Sequence, residues 1–262
     1  MRSQNRAEPG DRVSVDAIDG ARITELVLGH HSMLVPHDSH DALGWGAFVM
    51  APWTGLLRDR TLTVAGQPYP LSGSFPDSAG HLAHHGVARG SAWQRIGDGA
   101  WRCEMAPPWP LGGSVEQRLW LGAGHLRIEL CLIAGDGPMV AALGWHPWFR
   151  RRLDVGDEVQ VEVDPAAQQQ QRDSRGVPTG SWERLSAPPW DEYLRTGAPV
   201  TLRWPGAGAL QICSTTEYLI AYTAHPDGVC AEPVTGPAEQ LAEMAAGEQL
   251  TLIIDLRWKP ET

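Results

Sequence analysis

The sequence predicts an all-β chain, and three observations carry that reading. Glycine and proline are abundant, at 29 and 21 of 262 residues. Apolar residues with helical periodicity are scarce. Short runs instead alternate apolar and polar residues between turn-forming segments.

Asp19-Gly20 suits a tight turn, and it separates Val13–Val15 from Ile23–Val27, so the first hairpin is placed there. The clearest hairpin joins Glu116–Leu121 to Leu126–Ile133 across Gly122-Ala123-Gly124. In its second arm Leu126, Ile128, Leu130 and Leu132 alternate with Arg127, Glu129 and Cys131, a period of two with one apolar face. Val159–Val163, Val200–Trp204, Tyr218–Thr223 and Leu250–Leu256 read as further strands. The polar run Gln168–Gln171 reads as an exposed loop. One helical turn is expected after Pro237, where Leu241 and Met244 stand three apart and proline suits a first helical position. Residues 1–12 read as a frayed tail. No linker divides the remainder, so 13–262 is expected to form one domain of two packed sheets. A chain of this length buries enough surface to fold without a covalent staple.

Composition excludes several functions. The net charge of −10 argues against binding nucleic acid, which needs a basic face. It leaves room for a small anionic substrate held by a few arginines. Lys259 is the only lysine, so a buried Schiff-base lysine is not expected. Cys103, Cys131, Cys213 and Cys230 form no Cys-x-x-Cys pair and read as reduced thiols of a cytoplasmic protein. Met1 to Arg12 lacks the apolar core of a signal peptide, and no run of about 18 apolar residues suggests a membrane span.

Polar residues gather beside glycine, proline and tryptophan in four places. They are His81 to Arg89 with Trp93, Gly144-Trp145-His146-Pro147-Trp148-Phe149, Pro188-Pro189-Trp190-Asp191, and Asp227 to Pro233. Aromatic faces cover the C–H faces of a sugar ring, while carboxylate, imidazole and guanidinium groups bind its hydroxyls. The 12 tryptophans suit that chemistry, though most are expected to pack in the core.

In this order the clusters resemble the aldose 1-epimerase (galactose mutarotase) superfamily. The matching stretches are Met50-Ala51-Pro52-Trp53, Gly66 to Leu71, His85-Gly86 with Arg89 and Trp93, the His146 segment, Val177 to Gly180, Trp190-Asp191, Cys230-Ala231-Glu232-Pro233 and Ala246-Gly247-Glu248. They cover roughly residues 20–257. The resemblance implies a β-supersandwich of mostly antiparallel twisted sheets, with a sugar site on the concave side. It implies Glu232 as catalytic base and His146 as general acid, with His85 and Asp191 contacting the sugar. Arg89 completes a His-Gly-x-x-Arg pattern similar to that of the hexose-6-phosphate branch, and it is taken as a further substrate contact. The family's usual sugar-binding arginine falls here on Leu56, with Arg58 and Arg60 nearby.

The chemistry suits these residue types. Anomer interconversion opens a hemiacetal: the O1 proton leaves while the ring oxygen O5 gains one. A base and an acid on opposite sides of the C1–O5 region are sufficient. A carboxylate in an apolar surround makes a base of raised pKa, and histidine donates near neutrality. No hydride or phosphoryl group moves, so no cofactor and no metal are expected.

The expected function is therefore an aldose 1-epimerase acting on a free hexose such as glucose or galactose. The protein would be a monomer or weak homodimer, with no nucleic-acid or membrane partner. The alternatives are a hexose-6-phosphate 1-epimerase, to which Arg150, Arg151 and Arg152 lend charge, and a non-catalytic carbohydrate-binding protein on the same fold. A metal enzyme would need one of two histidine groups, His30, His31, His37 and His40 or His81, His84 and His85, to converge.

Overall fold

The structure is a computed structural model. It describes residues 10–37, 43–55, 61–70, 85–107, 109–174, 178–237 and 240–261. Two large antiparallel sheets dominate. The first runs in the order Arg12–Asp16, Arg22–Leu28, Ala47–Met50, Gly144–Pro147, Gly228–Val234, Tyr218–Tyr222, Asp191–Arg195, Gln168–Arg172 and Pro178–Arg184. Two short strands, His31–Ser32 and Phe149–Arg150, pair beside that path. The second sheet has eight strands, in the order Gln160–Glu162, Val200–Trp204, Gly208–Ser214, Gln249–Pro260, His125–Ile133, Ser114–Gly122, Ala100–Glu104 and Gln94–Gly97.

The alternation read from the sequence is the one that packs. Leu126, Ile128, Leu130 and Leu132 are fully buried, while the intervening residues are half-buried. They pair with Gln249–Pro260, which buries Leu252, Ile254 and Leu256 in the same layer. Val49, Trp145, Leu219, Ala221 and Ala231 meet them from the other sheet in one core. Each such Leu or Ile contributes about 1.5–3 kcal/mol through burial. The Asp19-Gly20 turn joins Arg12–Asp16 to Arg22–Leu28 as expected.

Two expectations are corrected. Gln168–Gln171 is not an exposed loop. It lies in the strand Gln168–Arg172, which pairs with the Pro178–Arg184 and Asp191–Arg195 strands, and Gln170 is buried. Main-chain pairing between two neighbours holds this strand, so its side chains need not be apolar. Gln240 N–H donates to the Pro237 carbonyl. Ala242–Met244 is then a strand against Met139–Ala141, with only Met244 of the three buried. The three-residue spacing of Leu241 and Met244 is therefore not a helical face.

Gly10 to Arg12 are described, and Arg12 opens the first strand, where its guanidinium pairs with Glu25. No disulfide forms. Cys103 and Cys230 are buried, and Cys131 and Cys213 are half-buried. No helix among the described residues is long and apolar enough to cross a membrane.

Candidate active site

The site is a row of side chains across adjacent strands of the first sheet. Register sets it. Phe48 stands opposite His146, and Glu232 stands opposite Ile220, which in turn faces Tyr193. Gly144 pairs with Val234, so the same antiparallel register brings His146 beside Glu232. His146 Nε2 and Glu232 Oε1 are 3.4 Å apart. Two residues further along, on the same face, a second row places Tyr222 between Cys230 and Asp191.

The strands carrying these rows are unusual in their burial. Every residue of Ala47–Met50, Gly144–Pro147 and Gly228–Val234 is buried, on both faces. The inward face joins the main core. The outward face holds a small second cluster of Phe48, Met50, Ile220 and Val234. His146 and Glu232 are set into that outward layer, at 6% and 2% exposure.

Aromatic rings fix the imidazole. Phe48 stacks on His146 with centroids 4.6 Å apart, and Trp148 stacks at 5.7 Å. His85 meets it edge-on at 4.8 Å. His85 is held in turn by its own backbone. It adopts a positive φ of 61°, its N–H donates to the Gly55 carbonyl, and its Nδ1 accepts the Gly55 N–H at 3.2 Å. An accepting Nδ1 leaves the proton of the neutral ring on Nε2. Gly86 follows at φ 76°, pressed so close to Ala51 that a side chain would overlap the Ala51 carbonyl. Glycine is therefore required there, and it locks the His85 loop to the Ala47–Met50 strand.

The electrostatics favour a strong base. Burial pushes the Glu232 carboxyl well above its ordinary range, and the negative charge of Asp191 adds to the effect. Glu232 Oε2 has no hydrogen-bond partner among the described residues, and neither does Trp148 Nε1. A buried acceptor and a buried donor without partners, beside one histidine, suit a ligand rich in hydroxyl groups. Burial also raises the Cys230 thiol well above its usual value, so it is neutral at pH 7.

The structure thus brings together His146, Glu232 and His85, with Asp191 in the adjoining row. Asp191 is exposed, at the head of a strand anchored by Trp190, whose N–H donates to Thr223 Oγ1 and whose indole donates to the Ser186 carbonyl. Arg89 lies in the 3-10 turn Ala88–Gly90, and its carbonyl packs against Gly20 at the first hairpin. Leu56, Arg58 and Arg60 fall outside the described residues.

Two features differ from the sequence reading. Glu232 and His146, the expected base and acid, stand side by side on one sheet, not facing each other across a gap, because their strands are direct neighbours. Arg150, Arg151 and Arg152 are engaged with the protein itself. Arg150 donates to the Leu34 carbonyl, Arg151 to those of Thr223 and His225, and Arg152 to Glu158. Among the described residues the first histidine group does not converge, since His31 packs on Trp258 and His37 on Trp45, and His40 falls outside the described residues. Of the second group, His81 and His84 lie outside the described residues as well.

Arg22 lies beside the candidate site, and sequence reasoning missed it. It is 1% exposed and sits over the Trp45 and Phe48 rings at 4.3 and 4.9 Å. It bonds to Asp19 Oδ2 and to the Trp45 carbonyl. Phe48 is thus flanked by Arg22 on one strand and His146 on the next. A charged residue opening a strand with Ile23, Leu26 and Val27 was the available signal.

No protein-family model and no curated protein matches this chain. Solved structures do. A candidate aldose 1-epimerase from Escherichia coli K12 superposes with a TM-score of 0.80 over 98% of both chains, at 16% identity. The Slr1438 protein from Synechocystis sp. PCC 6803 gives 0.76 at 21% identity, over 100% of this chain and 94% of its own. A galactose 1-epimerase from Lactobacillus acidophilus gives 0.75 at 13% identity, over 98% and 93%. At these identities the likeness establishes the fold: an all-β, galactose mutarotase-like architecture spanning the whole chain.

Proposed function

We propose that this protein is an aldose 1-epimerase that interconverts the α and β anomers of a free aldohexose. The observation that carries the reading is the buried His146–Glu232 pair, 3.4 Å apart and walled by Phe48 and Trp148. The fold neighbours support a small sugar as ligand.

Side-by-side placement suits the reaction. O1 and O5 are bonded to the same carbon, so one edge of the sugar presents both oxygens to adjacent side chains. Glu232 takes the O1 proton and His146 protonates O5, which breaks the C1–O5 bond and leaves the open aldehyde. Rotation about C1–C2 exposes the other carbonyl face. Reclosure returns the O5 proton to His146 and the Glu232 proton to O1, so both groups finish as they began. Burial of Glu232 strengthens it as a base. His85, with its proton on Nε2, is positioned to donate to the sugar, and Asp191 to accept from a ring hydroxyl. Trp148 offers an indole face and an unpartnered N–H. Arg150, Arg151 and Arg152 are engaged elsewhere, which supports a free hexose over a phosphorylated one.

Polarimetry on freshly dissolved α-glucose and α-galactose tests the reading, with glucose 6-phosphate compared in a coupled assay. Equilibration of a free hexose well above the buffer rate is expected. Equilibration at the buffer rate for every free sugar would sink it, and acceleration of the phosphorylated sugar alone would move the assignment to that substrate.

A further inference from the structure

We propose that His146, Cys230 and Glu232 form a zinc site, and that Zn²⁺ bound there shuts the catalytic pair. Cys230 and Glu232 alternate on one strand and therefore face the same way, while His146 stands beside Glu232 on the next strand. One donor atom from each, an imidazole nitrogen, a thiol sulfur and a carboxylate oxygen, lies within 4.8 Å of the other two. All three residues are buried. A tetrahedral zinc with bonds of about 2.0–2.3 Å sets its donors about 3.3–3.7 Å apart. The His146–Glu232 separation of 3.4 Å already fits that spacing. Rotation of the Cys230 χ1 by about 30° moves the sulfur by about an ångström and brings the thiol in.

A second observation points to a ligand at this place. Glu232 Oε2 is buried and has no hydrogen-bond partner among the described residues. A cation held by both carboxylate oxygens would satisfy it.

The donor set selects the metal. One sulfur, one nitrogen and one oxygen suit Zn²⁺, whereas Mg²⁺ and Ca²⁺ require shells of oxygen. Three protein ligands leave a fourth position open to water or to a sugar oxygen. Binding exchanges the Cys230 S–H bond for a Zn–S bond, and the proton leaves to solvent. The metal then occupies the Glu232 oxygen and the His146 nitrogen that the proposed reaction uses. Inhibition thus rests on the epimerase reading, whereas binding rests on geometry alone.

The test uses the full chain, purified metal-free. Titration with Co²⁺ should produce a thiolate-to-cobalt charge-transfer band that saturates at one equivalent and is bleached by Zn²⁺. Cys230→Ala should lose the band and weaken Zn²⁺ binding by at least about 100-fold, since even outer-sphere changes reach that size. The same variant should escape zinc inhibition, its polarimetric rate with Zn²⁺ matching its own metal-free rate. The parental measurement needs no variant, which keeps the test decisive if Cys230→Ala folds poorly. No thiolate band in the parent, or equally tight zinc binding in a folded Cys230→Ala, overturns the site. A band without any metal-free epimerase activity upholds the site and removes the sugar reading instead.

Discussion

The His125–Ile133 strand and the Gly228–Val234 strand make an instructive pair. Both are long central strands in antiparallel sheets. The first alternates buried and half-buried residues along its length, and its buried side chains are all apolar. The second is buried at every position, yet one of those positions is a carboxylate with an unpartnered oxygen. The first has the face of a scaffold, in which local pattern and packing agree. The second leaves one buried carboxylate oxygen without a hydrogen-bond partner among the described residues, and that breach costs stability. Such a cost marks where chemistry is expected.

The largest expected effects test whether the costly strand is catalytic. Glu232→Gln and His146→Asn should each reduce the polarimetric rate by about 10²–10⁴-fold, the usual worth of one positioned proton transfer. Circular dichroism should show both variants folded. A near-parental rate in either would reduce the comparison to two kinds of packing.

Leu130→Ala probes the scaffold strand in the same terms. It should cost about 2–5 kcal/mol in denaturant unfolding, because a fully buried side chain leaves a cavity. Turnover per folded molecule should change little. A severe loss of turnover with intact stability would mean that the two sheets do not divide the work in this way.

Arg22 joins the two regimes, since it lies in the core-forming first hairpin and underlies the site through Phe48. Arg22→Met should destabilise by about 1.5–3 kcal/mol through lost charge-assisted bonds to Asp19 and Trp45. It should also slow turnover by about 10–10²-fold as the Phe48–His146 stack slackens. Arg22→Lys keeps the charge but not the planar fork, so it should recover only part of either loss. A stability loss with unchanged turnover would show that Phe48 holds its place without Arg22.

The two strands also differ in how far the sequence reveals them. Period-two alternation found the His125–Ile133 hairpin because one face meets core and the other meets solvent. It could not find the Ala47–Met50, Gly144–Pro147 and Gly228–Val234 strands, since burial on both faces erases the alternation. Gln168–Arg172 failed for the opposite reason: its pairing is made by the main chain and leaves no apolar signature. His146, Glu232, His85 and Asp191 were singled out by local motifs, each a titratable group beside proline, glycine or tryptophan, and by the order of those motifs along the chain. Their adjacency was not legible. It depends on the register between the Gly144–Pro147 and Gly228–Val234 strands, which no local pattern encodes. Phe48 and Arg22 come beside His146 through two further registers, of Ala47–Met50 on Gly144–Pro147 and of Arg22–Leu28 on Ala47–Met50.

The smallest expected effect tests the cost itself. Burial, helped by Asp191, holds the Glu232 carboxyl well above its ordinary range. The folded chain therefore binds that proton more tightly than the unfolded chain does. Stability contributed by this group is fully present below the unfolded carboxylate pKa of roughly 4.3, and it is lost as pH rises toward the folded value. Glutamine cannot ionise and escapes the loss. Glu232→Gln should therefore match the parent in thermal stability at acid pH. It should gain on it as pH rises and level off once the parental carboxyl is ionised. The acidic limb of kcat/KM in the parent should fall in the same window, because the base must be ionised to act. An advantage that is constant with pH would mean that the carboxyl is not held above its ordinary range. One that grows toward acid pH would mean that an ionised Glu232 stabilises the fold. On either outcome the Gly228–Val234 strand would be scaffold like its counterpart.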